Sequence, residues 1–126
     1  MATPEILDEA LRLSRSGDVE AAANLLREVR AGGAPSDAHL SLLFQLVTKT
    51  SASDEGVDVA TEALSMAKSP VSKSGWALRR GLLYIERGER SGALADLQLV
   101  LKLKANEGHV DQARAALLKV AQLPKK

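Results

Sequence analysis

Cysteine is absent from the 126 residues, which excludes disulfides, thiol chemistry and thiolate-held metal. Aromatic residues are nearly absent as well: Phe44, Trp76 and Tyr84 are the whole set, so any core must be built from Leu, Ala and Val. No apolar run approaches the roughly 20 residues that a bilayer span needs. The first ten residues carry Glu5, Asp8 and Glu9 where a secretory leader would need basic residues followed by an apolar stretch, so the expectation is a cytoplasmic chain without an export signal. What is present is ordinary for a folded chain. Apolar residues make up 45% and charged residues 26%, which argues against intrinsic disorder. The length suits a single domain over 1–126, able to bury roughly two-thirds of its unfolded surface.

The net charge of +1 hides an asymmetry. Residues 1–67 hold 5 basic and 11 acidic side chains, whereas residues 68–126 hold 12 and 5, giving halves of −6 and +7. A field of this kind biases which partners approach and in which orientation.

Proline and glycine punctuate the chain at Pro4, Gly17, Gly32-Gly33-Ala34-Pro35, Ser69-Pro70, Gly88, Gly108 and Pro124. The blocks between them carry apolar residues at spacings of three and four, as in Val19, Ala22, Ala23, Leu26, Val29 and in Ala93, Leu94, Leu97, Val100, Leu101. No alternating strand pattern competes. Thr3-Pro4-Glu5, Ser36-Asp37 and Ser53-Asp54-Glu55 supply start signals. The pattern predicts an all-α fold of about seven helices, and short connections make consecutive helices antiparallel hairpins.

The hairpin turns repeat. Aligning Ser16-Gly17-Asp18 with Arg87-Gly88-Glu89 brings Ala10 onto Gly81, Leu13 onto Tyr84, Ala22 onto Ala93, Leu26 onto Leu97 and Val29 onto Val100. Antiparallel helices approach closely where both offer small side chains, so Ala10 against Ala22 and Gly81 against Ala93 are the expected crossing points. The segment from Arg80 through Tyr84, Gly88, Ala93 and Asp96-Leu97 to Leu103 resembles the tetratricopeptide repeat, a helical hairpin of about 34 residues. The family's closing proline is replaced by Ala105-Asn106. Residues 4–35 resemble the repeat more loosely, and 36–69 form a middle repeat by spacing, with Thr48 and Ala60 as its small pair and a turn at Thr50-Ser51-Ala52-Ser53. With the third repeat over 73–106, residues 108–122 read as a capping helix. The resemblance implies a right-handed α-solenoid of helical hairpins and a function in protein binding.

Catalytic chemistry finds no foothold, and the sequence reads as a non-enzyme without cofactor or metal. His39 and His109 are 70 residues apart, without a second ligand at helical spacing, and read as surface or cap histidines. Gly32-Gly33 lacks the Lys-Ser or Lys-Thr of a phosphate loop. Trp76 reads as core. The basic residues Lys68, Lys73, Arg79, Arg80, Arg87, Arg90, Lys102 and Lys104 raise nucleic acid as a ligand, but the aromatics needed for base stacking are nearly absent, and the set reads instead as a solvated face attractive to an acidic protein.

In a solenoid the first helix of each hairpin lines the concave side. The candidate partner-binding groove is therefore Leu7, Leu11 and Arg15 with Ser14 on the first helix, Leu42, Gln45 and Lys49 on the third, and Leu78, Arg79, Leu82, Ile85 and Glu86 on the fifth. Its leucines are expected to be partly exposed, a surface suited to an amphipathic helix or an extended peptide of a partner protein. An adaptor, scaffold or chaperone-like assembly subunit fits this description. The alternative is a structural subunit that self-associates through the same patch, or head to tail through the oppositely charged halves. The first groove helix contains no Lys or Asn, which argues against the carboxylate-gripping subclass of the family.

Overall fold

The computed structural model describes residues 3–33, 35–49 and 53–123. Among these, seven helices and no strands are found: α1 (Thr3–Arg15), α2 (Val19–Ala31), α3 (Asp37–Lys49), α4 (Ser53–Met66), α5 (Pro70–Glu86), α6 (Arg90–Leu103) and α7 (Glu107–Val120). The fold is all-α, as the periodicity predicts. The chain divides into two compact units, one up to Val59 and one from Ala60, so α4 runs through the division. In the first unit α2 packs on both α1 and α3. In the second, α7 packs on α5 as well as on α6.

The helix ends are written in local chemistry. Gly17 and Gly88 take φ of +93° and +72°, a left-handed conformation that glycine adopts without a Cβ penalty. At the first turn Gly17 N donates to Ser14 O at 3.1 Å and Asp18 N to Leu13 O at 2.9 Å. At the second, Gly88 N donates to Ile85 O at 3.0 Å and Glu89 N to Tyr84 O at 2.9 Å. Both are Schellman closures, with each bond reproduced 71 residues later. The entry into the next helix repeats as well, Ala22 N donating to Asp18 O and Ala93 N to Glu89 O.

Three starts differ from expectation. Ser69 caps α5, its hydroxyl accepting from Ser72 N at 3.1 Å with Pro70 in the first turn, so α5 begins three residues before the expected 73. Ser53 is the first residue of α4, one step inside the helix; the turn residues Thr50, Ser51 and Ala52 lie outside the described residues. α7 begins at Glu107, where Asn106 accepts from His109 N at 2.9 Å.

The second unit's core is Leu, Ala and Val: Ala77 and Leu78 of α5, Ala93, Leu97 and Val100 of α6, and Ala113, Ala116 and Val120 of α7. Trp76 is buried, as expected. Ala10, Ala22 and Ala93 are fully buried. Across the α5–α6 seam, however, the atoms nearest a Cβ built on Gly81 are Asp96 Cβ at 3.2 Å and Leu97 Cδ2 at 3.3 Å, which moves the closest approach along α6 from Ala93.

Polar links cross these seams. Arg80 holds Asp96 with both arms of its guanidinium, Nε to Oδ2 at 2.8 Å and Nη2 to Oδ1 at 2.7 Å, while Nη1 donates to Thr61 Oγ1 at 2.9 Å. Asp96 is only 3% exposed, so this fork takes the place of water around its carboxylate oxygens. In the first unit Arg27 grips Glu55 through two bonds of 2.8 Å and also reaches Glu20 and Asn24. The Arg27 hydrogen bonds hold the Glu55 carboxyl below its ordinary value of 4.5, and the same pairing raises Arg27 above the usual guanidinium range.

Replacing Arg80 by Met strands a buried carboxylate and is expected to cost about 3 kcal/mol or more in urea unfolding, whereas the Arg80→Met, Asp96→Leu double variant should recover most of that loss. A depressed carboxyl pKa contributes stability that is present above the unfolded value and lost as pH falls through the folded one. Glu55→Gln is therefore expected to be less stable than wild type by about 1 kcal/mol at neutral pH, with the difference closing below pH 4.5 in pH-dependent unfolding.

Candidate partner-binding face

α5 turns three of its five candidate residues outward. Arg79, Leu82 and Glu86 follow one another at helical spacing and are all exposed, Leu82 by 36%. They form a stripe that reads cation, apolar side chain, anion. Arg79 is not a loose side chain: its Cζ stands 4.2 Å from the centroid of the buried Trp76 ring.

Leu78 and Ile85 belong elsewhere. Leu78 is only 5% exposed and sits in the core cluster, against which Ile85 packs half-buried. Partial exposure was expected of Leu78; the reason for its burial is that α7 contributes Ala113, Ala116 and Val120 to the same cluster. The third helix takes part of the face that a hairpin alone would leave open.

In the first unit Leu7, Leu11 and Ser14 of α1 are half-buried and Arg15 is exposed. On α3 Gln45 and Lys49 are exposed at i and i+4, but Leu42 is 9% exposed and so belongs to the interior, contrary to expectation. α3 buries residues on several sides, His39, Leu40, Leu43, Leu46 and Val47 among them, which leaves a narrow polar strip.

The histidines are structural. His39 is buried, not at the surface: its Nδ1 accepts from Ser36 N at 3.0 Å and lies 2.7 Å from Ser36 Oγ, while His39 N donates back to that hydroxyl at 3.2 Å. This is a reciprocal capping arrangement at the start of α3 with histidine in place of the usual Glu or Gln. His109 of α7 is half-buried and its Nδ1 lies 2.9 Å from the hydroxyl of the fully buried Ser74 of α5. Among the described residues no cluster of three acidic, His or Cys side chains is placed to hold a metal ion, and no helix is long and apolar enough to cross a membrane. The basic set is partly committed inside the fold: Arg80 to Asp96, and Arg87 to Glu89 at 2.6 Å.

Sequence reasoning missed the Arg80–Asp96 fork, although a signal was there. The two residues stand eight before and eight after Gly88, and residues equidistant from the turn of an antiparallel hairpin lie at the same height. Comparison of the chain with family models, with curated proteins and with solved structures gives no match.

Burial separates the two α5 leucines in a testable way. Leu82→Glu is expected to change unfolding stability by no more than about 0.5 kcal/mol, whereas Leu78→Glu, which places a charge in the core, should cost about 4 kcal/mol or more and abolish cooperative thermal unfolding.

Proposed function

We propose that the chain is a non-catalytic protein-interaction module of the tetratricopeptide type, a right-handed α-solenoid acting in the cytoplasm as an adaptor or assembly subunit. In this reading α1, α3 and α5 line a concave side, which docks a helix or extended segment of a partner protein. The observation that carries it is the duplicated turn. A hydrogen-bonded closure recurring bond for bond after 71 residues, about two repeat lengths, is what a chain of equivalent hairpins requires. The exposed stripe of Arg79, Leu82 and Glu86 supports the binding role, since an apolar side chain between opposite charges offers both desolvation energy and orientation to an incoming segment. Leu7, Leu11 and Arg15 would contribute on α1, and Gln45 and Lys49 on α3.

The test is affinity capture from native lysate with cross-linking mass spectrometry, run in parallel on wild type and a Leu11→Glu, Leu82→Glu variant shown by circular dichroism to be folded. The expected result is a protein cross-linked to α1, α3 or α5 in wild type and lost in the variant. Recovery of the same proteins by both, or of none by wild type, would overturn the reading.

A further inference from the structure

Two features of the fold remain unused by this reading. The first is an open furrow of about 700 Å³ between α1 and α2, lined by Leu13, Ala21, Leu25 and Ala31 together with the exposed Glu9 and Glu28. Arg27 also borders it, its guanidinium held by Glu20 and Glu55. The second is Leu118 on α7, 70% exposed, with Arg114 and Ala115 on the same face and Lys119 beside it; Asp111 lies two turns back. Of the large apolar side chains exposed among the described residues, Leu118 is the most open.

The repeat itself says what the furrow is. Shifted by the 71 residues that relate the two turns, Glu9, Leu13 and Leu25 fall on Arg80, Tyr84 and Asp96. In the second unit that side of the α5–α6 pair carries the hydrogen bond from Arg80 to Thr61 of α4. In the first unit the equivalent place is the open furrow. Charge selects the occupant. The unit up to Val59 holds 5 basic and 10 acidic side chains, and the unit from Ala60 holds 12 and 6. We propose that the α1–α2 furrow takes the Leu118 face of α7 from a second copy of this chain, with Arg114 and Lys119 set against Glu9 and Glu28. The contact is heterologous: one copy offers its furrow, the other its last helix. A single helix in a shallow furrow buries little area, so the association is weak, with Kd between about 1 µM and about 1 mM at low salt.

Sedimentation velocity on the purified chain alone tests this without reference to any partner protein. The weight-average mass is expected to rise with concentration at about 0.01 M salt, and the association to weaken at least about tenfold at about 1 M, as the Debye length falls from about 30 Å to about 3 Å. Leu118→Glu and Glu28→Lys should each weaken self-association about tenfold or more. An equimolar mixture of the two should form heterodimers, because one retains an intact furrow and the other an intact α7 face. Arg114→Glu carries the same test if Leu118→Glu loses helical circular dichroism, and Leu82→Glu should associate as wild type does. A wild type that stays monomeric at about 1 mM in low salt overturns the proposal. So does undiminished association of the α7 variants, and so does a mixture that fails to recover, which would mark a contact between identical faces.

Discussion

Close approach of helices that carry small side chains is the constraint on which the rest of the structure depends. With almost no aromatic residues available, the core beyond Trp76 is mainly Ala, Leu and Val, and alanine removes little area from water at roughly 25 cal/mol per Å². Such a core holds only if the backbones come near enough for the larger leucines and valines to interlock. Gly81 shows how tight the seam is: an added Cβ would stand 3.2 Å from Asp96 Cβ. The fully buried Ala77, Ala93 and Ala113 serve the same end in α5, α6 and α7.

A seam of small residues is smooth, and smooth seams slide. The polar links supply what packing lacks. The guanidinium of Arg80 satisfies both oxygens of Asp96 at one register of α5 on α6, and a shift of one turn would leave a 3% exposed carboxylate without its partner. The fully buried Ser74 hydroxyl and His109 tie α5 to α7, and Arg27 with Glu55 ties α2 to α4 at lower burial. Ser36 and His39 act within one helix start, fixing where α3 begins. The small-residue seam and the charge-assisted fork are therefore two halves of one solution, the first permitting closeness and the second choosing the register.

Helix number and type were legible because the signals are local. A period of 3.6 in apolar residues and the glycines of the turns after α1 and α5 are read along the chain, and the structure reproduces Gly17 and Gly88 with matching hydrogen bonds, whereas the left-handed Lys104 that ends α6 carries no such signal. α5 starts at Pro70 and not at 73 because Ser69-Pro70, which punctuates the sequence, is itself a start signal, a serine cap followed by proline in the first turn. The candidate face was read less well, for a geometric reason. Reasoning from hairpins assigns every residue off the two-helix seam to the open side, but Leu78 and Ile85 pack in a cluster that α7 shares. Such burial is set by a helix thirty residues away, which no local pattern encodes. Arg80 was counted among surface bases for a similar reason, since its partner is placed by the hairpin turn and not by helical spacing.

The stripe on α5 has a property that sequence alone does not suggest. Trp76 is the largest side chain of the core, and its ring is flanked by the guanidinium of Arg79 at 4.2 Å. Stacking on an indole limits the rotamers of a side chain that otherwise carries about 2 kcal/mol of conformational entropy. In the proposed binding role, part of the cost of ordering Arg79 would therefore be met within the fold. The same stacking keeps the indole face from water whether or not a ligand is present, so Arg79 serves the fold and the surface at once. Glu86, two turns from Arg79 on the other side of Leu82, has the opposite charge, so that in the proposed binding role the three together would favour one direction of an approaching segment over its reverse.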